Sequence, residues 1–285
     1  MKKATVNGVE LEYEVRGSGE PVLLIPPGPI ADGFGPFVME AALTERYQFI
    51  SYRQRGQAGS SRARPPVSFA EHAEDAAALL GYLDIGRAHI AGHSTGAVTS
   101  LQLALDHPDL VHSLALLEPP LMNVAGAAAF LEKAGPSVAI YNEGRPEEAI
   151  AAFISVACSL EWEECSRLID NHTSGGTAQV FRDADNFFST ILPALGEWQF
   201  GPEQAGRLAQ PVLSVIGTDS ERLFRESDEM LHAWMPQVED CRVNGVAHLL
   251  HLQRPEAVVQ RVGAFFARHP MSQSPSLRVG TTSSS

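Results

Sequence analysis

The chain has 285 residues, with 34 Asp and Glu against 21 Lys and Arg, giving a formal net charge of -13. That acidity disfavours nucleic acid and anionic lipid as partners, both of which need clustered cations, and suits a small neutral or apolar ligand. A hydrophobic content of 44%, a mean hydropathy of -0.06 and the absence of any long apolar run exclude a bilayer-spanning chain and leave room for one core plus one inserted subdomain.

From the N-terminus, Met1-Lys2-Lys3 carries the charge of an export signal, but Asn7, Glu10, Glu12 and Glu14 interrupt the apolar block that should follow. The three cysteines, Cys158, Cys165 and Cys241, show neither a disulfide framework nor metal-ligand spacing. Together these features predict a cytoplasmic protein with packed thiols.

Glu10 to Val15 alternates apolar and polar residues, and after Gly17-Ser18-Gly19 the run Pro21 to Ile25 is continuously apolar, which predicts an exposed hairpin leading into a buried strand. Further strands are predicted at Gln48–Tyr52, Arg87–Ala91 and Ser113–Leu117. The intervening helices are Phe69–Leu83 and Ala97–Leu105, with Ala73, Ala76, Ala77, Leu80 and Leu83 on one face of the first. Short apolar strands alternating with helices predict an α/β fold, a mostly parallel sheet covered on both faces that binds ligands beyond its strand ends.

The alternation stops from about residue 121 to 208. There the spacing predicts only helices, at Ala125–Lys133, Pro146–Cys158, Trp162–Asn171 and Ala178–Phe188. The sheet pattern resumes with a strand at Pro211–Ile216, a helix at Glu221–Trp234, a strand near Glu239–Val243 and a helix at Pro255–Arg268. The predicted organisation is therefore a core over 1–120 and 209–270, an inserted helical cap over 121–208, and a disordered Ser- and Thr-rich tail over 271–285.

Gly92-His93-Ser94-Thr95-Gly96 falls between a predicted strand and a predicted helix. In that context G-x-S-x-G is a nucleophile elbow, in which small flanking residues let the backbone crowd around an exposed serine. A serine hydroxyl needs a base within hydrogen-bond reach. Of the ten histidines, His248 follows the last predicted strand and precedes the final helix, whereas His251 and His93 suit packing beside the site.

On these residues the chain resembles the α/β-hydrolase superfamily from Val9 to His269. Arg53-Gln54-Arg55-Gly56-Gln57-Ala58-Gly59-Ser60 is similar to its Arg-Gly-x-Gly-x-Ser loop, with Ala58 in place of the second glycine. Ala247-His248 and Pro255-Glu256 are similar to its histidine loop and following helix. The resemblance implies an α/β-hydrolase fold and an acyl-serine mechanism without metal or organic cofactor. It also implies two backbone donors for the oxyanion, one from Thr95 and one from the loop after the early strand. That loop reads Pro26-Pro27-Gly28-Pro29, so Gly28 is its first residue with an N–H, unless the segment is only a rigid turn.

The resemblance leaves two positions open for the acid that orients His248. The superfamily's usual place follows the strand Pro211–Ile216, but Gly217-Thr218-Asp219-Ser220 puts serine there and Asp219 one residue early. Glu118, ending the strand Ser113–Leu117 before Pro119-Pro120, is the alternative. The Pro-x-Gly loop and the Glu-Pro pair are similar to those of zearalenone lactonases, which take their acid from this strand end, and Glu118 is favoured.

The expected substrate is a small hydrophobic carboxylic ester or lactone, contacted by Pro29, His93, Phe153, Trp162, Phe187, Phe188 and Trp198. Carbon–carbon bond hydrolases, cofactor-free haloperoxidases and hormone receptors share the triad and remain alternatives. Nothing in the sequence requires or excludes a homodimer.

Overall fold

The computed structural model describes residues 1–62 and 64–271. The predicted disordered tail over 271–285 therefore lies, apart from Met271, outside the described residues. In chain order the elements are β1 (Lys2–Val6), β2 (Val9–Gly17), β3 (Glu20–Ile25), α1 (Gly35–Met39), α2 (Ala41–Thr44), β4 (Tyr47–Tyr52), α3 (Phe69–Tyr82), β5 (Ala88–His93), α4 (Thr95–Asp106) and β6 (Val111–Leu117). Six helices follow: α5 (Ala125–Asn142), α6 (Pro146–Cys158), α7 (Trp162–His172), α8 (Gly176–Asn186), α9 (Leu192–Glu197) and α10 (Pro202–Ala205). A π-helical turn (Phe187–Ile191) joins α8 to α9, and the chain closes with β7 (Val212–Gly217), α11 (Arg222–Trp234), β8 (Val238–Val243), α12 (Leu250–Gln253) and α13 (Pro255–Arg268).

Among the described residues, eight strands form one sheet in the order β1-β2-β4-β3-β5-β6-β7-β8. The β1–β2 and β2–β4 pairs are antiparallel and all the others are parallel. β3, β5, β6 and β7 bury both faces, which is why their sequences are continuously apolar. Alternate residues of each serve different layers. Leu23, Ile25, Ile90, Leu114 and Leu116 pack with α3 and α4, while Val22, Leu24, Ala91, Ala115 and Leu117 pack with α1 and α13. Ser68 caps α3 through a reciprocal capping box with Glu71, fixing the start that the apolar spacing alone leaves vague.

Three local expectations are corrected. β2 does not form a hairpin with β3, because β4 lies between them. Gly17 and Gly19, at φ +81° and +109°, carry the chain across that gap where a Cβ would strike the Tyr47 or Arg46 carbonyl. The first strand, β1, is missed because only Ala4 and Val6 of its five residues point inward. Helix α5 runs past Lys133 and through Pro136 to Asn142, because Val138, Ile140 and Tyr141 pack on the apolar cluster of the neighbouring helices.

The helices between β6 and β7 make that cluster with residues from the strand-end loops. Ile30, Leu249 and Leu252 pack with Ile150, Ile154, Phe187 and Ile191, and Phe130 and Ala157 pack with Ile216, Leu223 and Phe224. This layer closes over the carboxyl ends of β3, β5, β6 and β7.

Candidate active site

Ser94 stands between β5 and α4 at φ 55° and ψ -124°, a conformation that costs a non-glycine residue about 1–3 kcal/mol. Its N–H donates to Leu117 O at 2.8 Å, which ties the turn to β6. The two glycines of the motif are steric requirements. A Cβ on Gly92 would lie 2.3 Å from Ser100 Oγ, and one on Gly96 would lie 2.2 Å from Ile25 O. Neither position accepts a side chain without moving backbone.

Glu118 lies at the end of β6 in the left-handed region, at φ 50°, and its side chain is fully buried. Gly217 N–H and Ser220 Oγ–H both donate to its Oε1, at 2.8 and 2.5 Å, and Oε2 lies 2.7 Å from His248 Nδ1. A carboxylate facing Nδ1 requires the proton there, which leaves His248 Nε2 bare. The imidazole is held flat on Phe224, with centroids 3.9 Å apart and planes 13° apart, and His93 covers it at 4.6 Å.

Ser94 and His248 line the same cavity, with no hydrogen bond between their side chains in this structure. Such a contact is often long without substrate and shortens in the reacting complex. Asp219 is turned away. It is exposed and accepts a hydrogen bond from Thr218 Oγ1, so of the two candidate acids the structure brings only Glu118 to His248.

Two further histidines crowd the base. His93 Nε2 donates to His248 O at 2.8 Å, and His251 packs against His93 at 4.4 Å. Burial, reinforced by the neighbouring imidazoles, holds His93 well below the usual histidine range. Burial and His248 push His251 down to about 3. Both are therefore neutral near pH 7.

The cavity is about 50 Å³ and lies against Ser94, Thr95, His93 and His248. Its other walls are apolar, with Pro27, Pro29, Pro120, Phe130, Phe153 and Phe187 prominent among them. Cys158 also faces it. Its neighbour Cys165, then burial, hold the Cys158 thiol well above its ordinary pKa. Among the described residues, no Lys, Arg, Asp or Glu lines the cavity.

Of the predicted contacts, Pro29, His93, Phe153 and Phe187 line the cavity, and three aromatics do not. Trp162 packs on Phe181. Phe188 stacks on Tyr141. Trp198 stacks on Phe200 and donates its indole N–H to Gln102. Each already has an aromatic partner inside the helical layer, which composition does not reveal. Residues missed by sequence reasoning include Pro27 and Pro120, which strand-end loops bring in, Phe130 of α5 and Phe224 at the start of α11. Gly28 sits between two lining prolines, and a Cβ there would come within 3.0 Å of Phe187 and Ile191. Neither its N–H nor that of Thr95 donates a hydrogen bond among the described residues.

Among the described residues, only Asp228, His232 and Asp240 approach one another as metal ligands would. They lie outside this cavity, and Arg242 pairs with both carboxylates.

The family model described as "alpha/beta hydrolase fold" matches residues 21–255. The protein named "Putative carbamate hydrolase RutD" from Caulobacter vibrioides is 34% identical over 122 residues, which cover 41% of this chain and 45% of that protein, so the match spans less than half the length of this relative. Among solved structures, an esterase from Thermogutta terrifontis superposes with a TM-score of 0.79 at 19% identity, covering 94% of this chain and 99% of that one. The enol-lactonase from Burkholderia xenovorans LB400 superposes with a TM-score of 0.76 at 19% identity, covering 93% and 100%. The chain belongs to the alpha/beta hydrolase fold family.

Proposed function

We propose that this protein is a serine hydrolase that cleaves a small, neutral, hydrophobic carboxylic ester or lactone through an acyl-Ser94 intermediate. The observation that carries the reading is the Glu118–His248 pair, whose imidazole shares with Ser94 an apolar cavity that has no charged wall residue among the described residues. His248 Nε2 takes the Ser94 hydroxyl proton as Oγ attacks the carbonyl carbon, and Glu118 stabilises the imidazolium through Nδ1–H. The N–H groups of Gly28 and Thr95 receive the oxyanion. His248 then returns the proton to the leaving alkoxide, and a water activated the same way releases the acid and restores Ser94.

Substrate charge follows from the walls. A carboxylate-bearing substrate buried here would lose hydration without a cation to replace it, so the cavity selects against it. The lack of cations favours a neutral ligand on both sides of the scissile bond. In this reading residues 121–208 act as the cap that excludes water from the ester. The protein works in the cytoplasm without metal, organic cofactor, nucleic acid or membrane.

The test is turnover of a p-nitrophenyl ester series and of simple lactones by wild type and Ser94→Ala. Hydrolysis of neutral substrates, with little activity on matched anionic ones, is the expected outcome. A folded wild type that is inert across both series, or a Ser94→Ala variant that retains turnover, contradicts the proposal.

A further inference from the structure

The loop between β4 and α3 contains Gln57, whose side chain is completely buried yet does not line the cavity. Its two amide hydrogens are both committed, with Nε2 donating to Pro27 O at 2.9 Å and to Gly28 O at 2.7 Å. Its Oε1 accepts the Gln54 backbone N–H at 3.0 Å, and a flipped amide would set oxygen against two carbonyls, so the orientation is unique. Gln54 extends the same contact one residue back, donating to Pro26 O at 2.8 Å. Three consecutive carbonyls of the segment Pro26–Gly28 are thus captured by two glutamine side chains.

Within Pro26-Pro27-Gly28-Pro29 only Gly28 has an N–H to offer. The Pro27–Gly28 peptide is trans, and across a trans peptide the carbonyl of one residue and the N–H of the next point in opposite directions. Drawing Pro27 O toward Gln57 therefore turns the Gly28 N–H away from that loop. Glycine at 28 rotates at little steric cost, so the direction of this donor has to be set from outside. The Ile30 N–H also reaches Pro27 O, but at 3.3 Å, and Gln57 supplies the shorter contact.

The clamp is itself anchored. The Ala58 N–H donates to the buried Asp183 carboxylate of α8 at 2.9 Å, and Gly56 fits so closely against Asn186 that a Cβ would lie 2.0 Å from its side chain.

We infer that Gln57 is a positioning residue for the oxyanion site, holding the Gly28 N–H in the direction a developing alkoxide needs without itself touching substrate. The inference rests on the serine hydrolase reading. A donor aimed at charge that forms only in the transition state affects kcat and leaves substrate binding nearly alone.

The test is Gln57→Met, which keeps length and volume and removes both donors. It is assayed with a p-nitrophenyl ester and with an aryl trifluoromethyl ketone, whose adduct with Ser94 carries the oxyanion. A fall in kcat of about 10- to 100-fold is expected, with the ketone weakened by a similar factor, KM changed by less than about threefold and the pH profile unshifted. Because the variant could fail to fold, the wild type is also followed by 15N-glycine NMR, where the Gly28 amide proton is expected to move downfield when the ketone adds. A folded Gln57→Met with wild-type kcat and ketone affinity, or a Gly28 amide that ignores the ketone adduct, overturns the inference and leaves the hydrolase reading standing. A wild type that neither cleaves esters nor forms the ketone adduct sinks both.

Discussion

Ser220 donates its hydroxyl to the Glu118 carboxylate at 2.5 Å, although the two residues are 102 positions apart and lie at the ends of different strands. With Gly217 N–H on the same oxygen, it keeps the second oxygen of Glu118 free for His248. Glu118→Gln removes the charge that stabilises the imidazolium, and kcat is expected to fall by about 10³–10⁴ with folding intact. Asp219→Asn alters an exposed side chain and leaves kcat unchanged. The pair is compared by steady-state kinetics, and a loss that follows Asp219 moves the acid there.

Ser220→Ala leaves a buried carboxylate short of one donor. Hydrogen bonds to charged groups contribute about 1.5–3 kcal/mol, and chemical denaturation of the variant should register a loss of that order. Unchanged stability would show that the contact is not formed in solution.

Ser94 combines strain with the absence of any side-chain hydrogen bond among the described residues. Ser94→Gly is expected to abolish activity and to stabilise the fold by about 1–3 kcal/mol, since glycine adopts this conformation freely. Calorimetry decides the matter, and a lower Tm for the variant would mean that the turn is not strained as described.

Buried histidines predict acid lability. Burial first, then Arg55, push His72 down to about 3, and His251 is depressed to about the same value. In the unfolded chain both protonate near the ordinary value of about 6.5, so the unfolded state binds more protons between about 6.5 and 3. Their contribution to stability is complete above that window and is lost as pH falls through it, by up to about 1.4 kcal/mol per pH unit for each group. Neither ring nitrogen of His72 has a hydrogen-bond partner among the described residues, so His72→Leu should flatten the curve of unfolding free energy against pH. An unchanged slope between pH 6 and 4, about the middle of that window, would count against a neutral buried His72.

Phe153 and Phe187 face each other across the cavity wall at 4.7 Å. Phe153→Ala is expected to move the preferred acyl chain toward longer esters. Trp198→Ala, which alters a stack outside the cavity, should leave the chain-length preference where it is. Competition between short and long p-nitrophenyl esters reads this out, and a shift produced by Trp198→Ala alone would relocate the pocket.

The elbow and the parallel core were legible because their constraints are local. G-x-S-x-G encodes two close backbone approaches, and doubly buried strands must be apolar throughout. The arrangement of β2, β4 and β3 was not legible, since a Gly-rich turn reads the same whether the chain folds back beside itself or crosses over a neighbouring strand. The choice between Glu118 and Asp219 depended on which direction a strand end faces, a property set by the left-handed backbone at Glu118 and its bonds to the distant Gly217 and Ser220. Among the aromatics, Trp162 and Phe153 have equal claim by composition, and only packing separates the one set against Phe181 inside the helical layer from the one against the cavity.

The central claim is tested most directly by treating wild type and Ser94→Ala with a fluorophosphonate and mapping the adduct by tandem mass spectrometry. The account predicts one phosphonyl group on the wild type, located at Ser94, and none on the variant. An adduct at another residue, or none on a folded wild type, would contradict it.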